Sequence, residues 1–540
     1  MLNMPDLIGP NARKWLENRD FKVGREAKEE GYEKTHAVML IPGVISSGLE
    51  SWGTDEGTAQ FFRKRLWGGG SMVQSIVTRK AEWIKAMSLD TKTGLDPPNV
   101  KVRSAQGLDA ASYFITGYWI WSKIIENLAA IDYDYNDLSL QAYDWRLSYI
   151  NLQIRDAYFS RIKGVIEHSL AVNGKKTVLV SHSMGGTVTL WFLKWVEAKG
   201  FGDGGSNWVE KHIDGWVNIG GCLLGVPKAM AAFMSGEMRD TAELNPAGVF
   251  LLEKLFSKSE RAKLFRTWAG SASMLLKGGN AIWGDEKGAP DDTHNTTLSQ
   301  KHMLEGELNA SAKRPNLTLE ESIKYLEEHT TSEWREMVKT NFSLGFERSE
   351  KQLKKNNLDH TKWSNPLEVQ LPHAPSMKIY CLYGWGKPTE RGYYYSQSQD
   401  THPDNATEDP GESGNQPMRM SWIDTTVNLE NANPPVKAGV VNGEGDGTVS
   451  LLSAGAMCVE GWKKKLYNPA GIKVITHELK HEPFALDPRG GATTGDHIDV
   501  LGTTLVNQAV LQVAAGRGHL VNETIHSNIR EYAKKIAWDP

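Results

Sequence analysis

At 540 residues the chain exceeds a single minimal domain and suits one large domain carrying insertions, or two domains. Its 40% hydrophobic and 23% charged residues are ordinary for a soluble globular protein, and a net charge of −4 supplies no basic face for nucleic acid. No run of about 18 or more apolar residues occurs, so the sequence predicts no bilayer-spanning helix.

The chain opens with a polar stretch, Met1 to Glu33, that lacks the apolar core of a signal peptide. Asn-x-Ser/Thr triplets begin at Asn295, Asn309, Asn316, Asn341, Asn405 and Asn522, about twice the number expected by chance. They favour a secretory-pathway protein whose targeting or anchor segment has been removed. Cysteine is scarce: Cys222, Cys381 and Cys458 fit one bridge plus a free thiol as well as three reduced thiols. Most of the nineteen tryptophans read as core, with lipid contact the sharper alternative for a few.

Beyond residue 36, β-rich runs recur at Ala37–Ile41, Leu138–Ala142, Thr177–Val180, Trp216–Ile219, Met377–Tyr383 and Lys473–Thr476. Helical patterns follow several of them, including Thr187–Ala198 and Ile498–Ala514. This alternation predicts an α/β fold with a mostly parallel sheet covered on both faces. The predicted layout is an N-terminal extension over residues 1–36 and one catalytic domain over 37–540. Two insertions interrupt the rhythm: a lid over about residues 50–109, rich in Trp, Phe and Gly, and a charged helical cap over about 228–372. Asp400–Pro417 reads as an exposed loop.

The strongest chemical signal is Val178-Leu179-Val180-Ser181-His182-Ser183-Met184-Gly185-Gly186. An apolar strand turns tightly into a helix, and small residues stand two before and two after Ser183, as a nucleophile elbow requires. Ser181 replaces the usual first glycine. Such a turn lifts the Ser183 hydroxyl above the sheet, where the N–H of Met184 at a helix start can stabilise an oxyanion. A second donor is expected from the loop after the first strand, Ile41-Pro42-Gly43-Val44, through the N–H of Val44.

A serine nucleophile needs a histidine base and an orienting carboxylate, in the chain order serine, acid, histidine. Asp446 lies in Gly443-Glu444-Gly445-Asp446-Gly447, a tight loop suited to fixing a carboxylate. His497 lies in Gly495-Asp496-His497-Ile498, a loop entering an apolar helical run. His477 and His481 read as surface residues, and His519 is the weakest rival. The expected triad is therefore Ser183, Asp446 and His497.

Taken together, Ile41-Pro42-Gly43, Tyr143-Asp144-Trp145-Arg146, Ser181-His182-Ser183-Met184-Gly185-Gly186, Tyr380-Cys381-Leu382-Tyr383-Gly384, Gly445-Asp446-Gly447-Thr448-Val449 and His497-Ile498-Asp499-Val500-Leu501-Gly502 resemble the lecithin:cholesterol acyltransferase family in content and order. Leu89–Pro98 and Leu224–Lys228 resemble its fungal and plant branch that acts on diacylglycerol. The resemblance implies an α/β-hydrolase fold, no metal or diffusible cofactor, and acyl transfer from a phospholipid to diacylglycerol at a membrane surface. The alternative is hydrolysis of the same acyl-enzyme by water. It also implies the endoplasmic-reticulum lumen, usually with an N-terminal membrane helix as tether, and supports a Cys381–Cys458 disulfide with Cys222 free.

Gly220-Gly221-Cys222 stands where relatives tend to carry Gly-Ala-Pro, which marks Cys222 as an apolar core filler. Asp144 and Arg146 are expected to form an internal ion pair. Trp52, Phe61, Phe62 and Trp67 are expected to belong to a mobile cover that meets membrane or acyl tails, with Arg63, Lys64 and Arg65 either near headgroups or simply solvated.

Overall fold

Short apolar runs without polar alternation are the pattern of strands buried on both faces. The computed structural model describes residues 21–237, 256–292, 316–397 and 421–539, with the short strands Leu304–Glu305, Glu307–Leu308 and Ala312–Lys313. In it the six apolar runs form one sheet. Its strands are β1 (Val38–Ile41), β2 (Leu138–Leu140), β3 (Thr177–His182), β4 (Ile213–Ile219), β5 (Lys378–Trp385) and β6 (Lys473–Lys480). The order is β6-β5-β4-β3-β1-β2, and every neighbouring pair is parallel. The Asp400–Pro417 stretch and the triplets at Asn295, Asn309 and Asn405 lie outside the described residues.

Side chains leave successive strand positions on opposite faces. Met39, Ile41 and Leu179 pack on one face with α2 (Tyr149–Asp156), α3 (Tyr158–Asn173), α4 (Gly185–Trp195) and α5 (Leu451–Val459). Val38, Leu40, Val178 and Val180 pack on the other with α1 (Ser122–Ala130) and α6 (Thr504–Ala514). The result is a helix–sheet–helix sandwich around a parallel sheet. The expected single helix over Ile498–Ala514 is divided into a 3-10 turn at Asp499–Gly502 and α6, because Thr503 caps α6 by accepting the N–H of Val506.

Chain order fixes where a site can form. From β1 the chain runs to the edge strand β2, then returns to the opposite side of β1 as β3. The connections after β1 and β3 therefore diverge and leave a crevice at their carboxyl ends, the usual place for a ligand in such sheets.

Residues 50–109 build a small three-stranded antiparallel sheet from Leu49–Ser51, Arg65–Trp67 and Val102–Ser104, with helices Gly70–Thr78 and Lys80–Met87 between the last two strands in the chain. Where described, residues 228–372 are mainly helical, with capping boxes starting Lys258–Phe265 and Leu319–Glu328. Two strands without a clear sequence signal, Lys387–Gln397 and Val440–Gly445, pair antiparallel beside β5 and carry the chain to Asp446. The structure joins Cys381 on β5 to Cys458 on α5 in a disulfide. Cys222 is free and buried, and burial pushes its thiol up to about 11. Among the described residues no helix is long and apolar enough to cross a membrane.

Candidate active site

Ser183 directly follows β3 in a left-handed conformation, φ 57°, which a residue bearing a Cβ adopts only when its surroundings enforce it. Those surroundings are tight. A Cβ on Gly185 would lie 2.4 Å from the carbonyl oxygen of Ile41, so glycine alone lets α4 start against the β1 loop. Ser181, in the place of the usual glycine, is satisfied: its hydroxyl accepts the indole N–H of Trp216 at 2.8 Å and faces Asn218.

Ser183 Oγ is 2.9 Å from His497 Nε2, and His497 Nδ1 is 2.7 Å from Asp446 Oδ2. A carboxylate only accepts, so Nδ1 carries the imidazole hydrogen and Nε2 presents a lone pair to the serine. The second Asp446 oxygen accepts the N–H groups of Thr448 (3.0 Å) and Val449 (2.7 Å), fixing the carboxylate. The N–H of His497 donates to the Asp446 main-chain oxygen at 2.9 Å, tying the two loops together. Gly220, at φ 53°, makes room for this pair, since a Cβ there would sit 3.3 Å from the His497 ring. All three side chains are buried.

His497 has a further contact with no sequence signal. His182 Nε2 donates to the main-chain carbonyl of His497 at 2.8 Å, and the two rings lie 4.8 Å apart. The other histidines lie elsewhere. His477 contacts the Asn522 carbonyl, and His519 is exposed in a 3-10 turn. His481 is half-buried and accepts the Gly495 N–H at 3.1 Å, a loop-holding role that its charged neighbours did not suggest.

Ser183 and His497 open onto a cavity of about 210 Å³ whose wall is mostly apolar, with Val44, Ile45, Trp67, Phe114, Trp268 and Met274 among its lining. Val44, from the loop after β1, stands on this wall, and Met184 directly follows the serine at the start of α4. Neither main-chain N–H is engaged in a hydrogen bond among the described residues.

Of the four aromatic residues expected in a cover, Trp52 and Phe62 are exposed and pack edge to face at 6.0 Å, with the Arg63 guanidinium over the Trp52 ring. Phe61 and Trp67 are buried, and Trp67 lines the cavity. Arg65 turns inward toward Glu50 and the Asp109 carbonyl.

Asp144 and Arg146 form a fully buried bidentate pair, with Nε to Oδ1 at 2.9 Å and Nη2 to Oδ2 at 2.7 Å. Arg155 adds a second partner to Asp144 at 2.8 Å, and Asp96 bridges Arg103, Arg146 and Arg155. Burial alone would raise the Asp144 carboxyl, but the Arg146 and Arg155 guanidiniums overcome it and hold it below the usual carboxylate range. Arg146 also donates to the carbonyls of Ala86 and Met87, so the network ties the 50–109 segment to the end of β2. It lies behind Trp145, whose ring packs against the cavity residues Trp67 and Trp268.

A parallel α/β sheet with a hydrogen-bonded serine, histidine and aspartate at its carboxyl end, under an apolar cavity, defines the class. The chain belongs to the lecithin:cholesterol acyltransferase family, whose model matches residues 61–504. It is 45% identical to a phospholipid:diacylglycerol acyltransferase of Schizosaccharomyces pombe, over 96% of this chain and 79% of that protein. It is 42% identical to the Saccharomyces cerevisiae protein of the same name, over 96% and 76%, and 35% identical to phospholipid:diacylglycerol acyltransferase 1 of Arabidopsis thaliana, over 95% and 85%.

Proposed function

We propose that this chain moves a fatty acyl group from a phospholipid to diacylglycerol through an acyl-Ser183 intermediate, giving triacylglycerol and a lysophospholipid. The observation that carries the reading is the Ser183–His497–Asp446 hydrogen-bond chain under an apolar cavity, in a chain 35–45% identical to enzymes bearing that name. His497 Nε2 takes the Ser183 proton as Oγ attacks the ester carbonyl. The Val44 and Met184 N–H groups stabilise the oxyanion. The protonated base returns its proton to the departing lysophospholipid oxygen. A diacylglycerol hydroxyl then gives its proton to His497 as it attacks the acyl carbonyl, and His497 passes that proton to the departing Oγ, which regenerates Ser183.

The elbow, the parallel sheet and the order serine, acid, histidine support an α/β-hydrolase fold over residues 37–540, with 50–109 as lid and 228–372 as cap. The Cys381–Cys458 bridge fits an oxidising compartment, in keeping with the endoplasmic-reticulum lumen, where the enzyme works at the membrane surface.

The test is incubation with acyl-labelled phospholipid and diacylglycerol, followed by separation of the lipid products. Label in triacylglycerol is the expected outcome. Label solely in free fatty acid would replace transfer by hydrolysis, since water and the acceptor hydroxyl compete for the same acyl-enzyme.

A further inference from the structure

The segment that carries His497 runs from β6 to α6 and is anchored beside the site by Arg489. Its outer turn is closed by the Phe484 N–H to the Gly490 carbonyl (2.8 Å) and the Gly490 N–H to the Asp487 carbonyl (2.9 Å). Arg489, at the foot of this turn, reaches in two directions. Its Nε donates to Asp499 Oδ1 at 2.6 Å, two residues past His497. Its Nη1 donates to the Trp119 main-chain oxygen at 2.7 Å, and the guanidinium lies 3.8 Å from the Trp119 ring centroid and 4.3 Å from that of Tyr118.

Tyr118 and Trp119 form one strand of a small hairpin with Tyr113–Ile115, and Phe114 and Tyr118 of this hairpin line the cavity above Ser183. Trp119 also packs on Gly502, where a Cβ would lie 2.3 Å from its ring. The guanidinium thus joins the cavity wall, through two ring faces, to a buried carboxylate in the same turn as the base. That turn is braced on its other side: Asp496 Oδ1 accepts the N–H groups of Ile498 and Asp499, and Lys387 holds Asp496 at 2.5 Å.

We propose that Arg489 is a positioning residue that couples filling of the acyl cavity to the placement of His497; this rests on the acyl-Ser183 reading above. A chain long enough to press on Phe114 and Tyr118 seats the hairpin, and the seated ring faces hold the guanidinium. The held guanidinium fixes Asp499 and with it the turn that presents the imidazole. A short acyl chain leaves the hairpin unloaded and gains nothing from the clasp. Lysine at this position keeps the charge toward Asp499 but has neither the planar face nor the fork of donors.

The experiment compares kcat and KM for a short-chain and a long-chain p-nitrophenyl ester in the whole chain and in Arg489→Gln, Arg489→Lys and Trp119→Leu. The wild type should turn over the long-chain ester with the higher kcat. In Arg489→Gln and Trp119→Leu the long-to-short ratio of kcat should fall about tenfold or more, the scale expected when a reacting group is displaced by a fraction of an ångström. Arg489→Lys should recover only part of the ratio. Loss in equal proportion on both esters, an unchanged ratio, or a wild type indifferent to chain length overturns the proposal. Thermal melts check folding, and if Arg489→Gln does not fold, Trp119→Leu, which keeps the Asp499 pair, decides the matter. Failure of the underlying reading is seen separately, as ester turnover that survives Ser183→Ala.

Discussion

His182 donates from Nε2 to the main-chain carbonyl of His497 across 2.8 Å, so the residue before Ser183 holds the backbone of His497. A carbonyl only accepts, which requires a hydrogen on Nε2. Burial, reinforced by the adjacent His497, pushes the His182 imidazolium down to about 3. In the unfolded chain the same group titrates near its ordinary value of 6.5. Between these two values the unfolded state binds a proton that the folded state refuses, so stability falls as pH drops through that window.

The first prediction follows. Urea melts of the wild type should lose stability from about pH 6.5 to about pH 4 with a slope approaching one proton, and His182→Gln should show a shallower slope. Equal slopes would assign the acid sensitivity to other groups.

Ser183→Ala should remove covalent labelling by a fluorophosphonate while the far-ultraviolet circular dichroism stays that of the folded chain. His497→Ala and Asp446→Asn should each lower kcat by about 10⁴ or more, because members of such a set act as a unit. His477→Ala and His519→Ala should stay within about threefold of wild type, the scale of surface substitutions away from special features. If either of these were inactive while His497→Ala worked, the base would be misassigned.

Arg146→Met should destabilise the fold by about 3–5 kcal/mol, since it leaves the buried Asp144 charge short of its bidentate partner. Equilibrium urea unfolding measures this. The depressed Asp144 carboxyl adds a pH signature. Its contribution is present above the ordinary carboxylate range and is lost as pH falls through the lower folded value, so wild type and Arg146→Met should converge toward strong acid.

How far the sequence disclosed this arrangement depends on what each segment touches. The inner strands β1, β3 and β4 are buried on both faces and largely apolar, and so announce themselves without any knowledge of their partners. The turn at Ser183 is legible because its steric demand falls on residues within two positions. The strands Lys387–Gln397 and Val440–Gly445 were not. The first opens Lys387-Pro388-Thr389-Glu390-Arg391 and the second contains Asn442-Gly443-Glu444-Gly445, so each looks like loop until the other pairs with it. The contact of His182 with His497 and that of Arg489 with Trp119 escape for the same reason, as 315 and 370 positions separate the partners in sequence. Phe61 and Trp67 carry the same aromatic signal as Trp52 and Phe62, and only tertiary packing separates the buried pair from the exposed one.

That separation directs the last prediction. Trp52 and Phe62 pack on one another at the surface with Arg63 over the Trp52 ring, and Val73 and Val77 are exposed one helical turn apart on Gly70–Thr78. The same segment sends Trp67 into the cavity wall. Apolar side chains outside and an apolar wall inside suit a segment that meets lipid while shaping the path to Ser183. Trp52→Ser with Phe62→Ser removes outer apolar surface without opening the core, and should lower activity on phospholipid vesicles about tenfold or more, with a smaller effect on a short soluble ester that needs no docking. Trp67→Ala acts differently. It should impair both substrates and lower the melting temperature, because it empties a buried site among Phe114, Trp145 and Trp268. Equal losses on vesicles and soluble ester in the Trp52/Phe62 double variant would make the outer pair a support for the fold. Vesicle binding that is unchanged in a flotation assay would argue against membrane contact through these two residues.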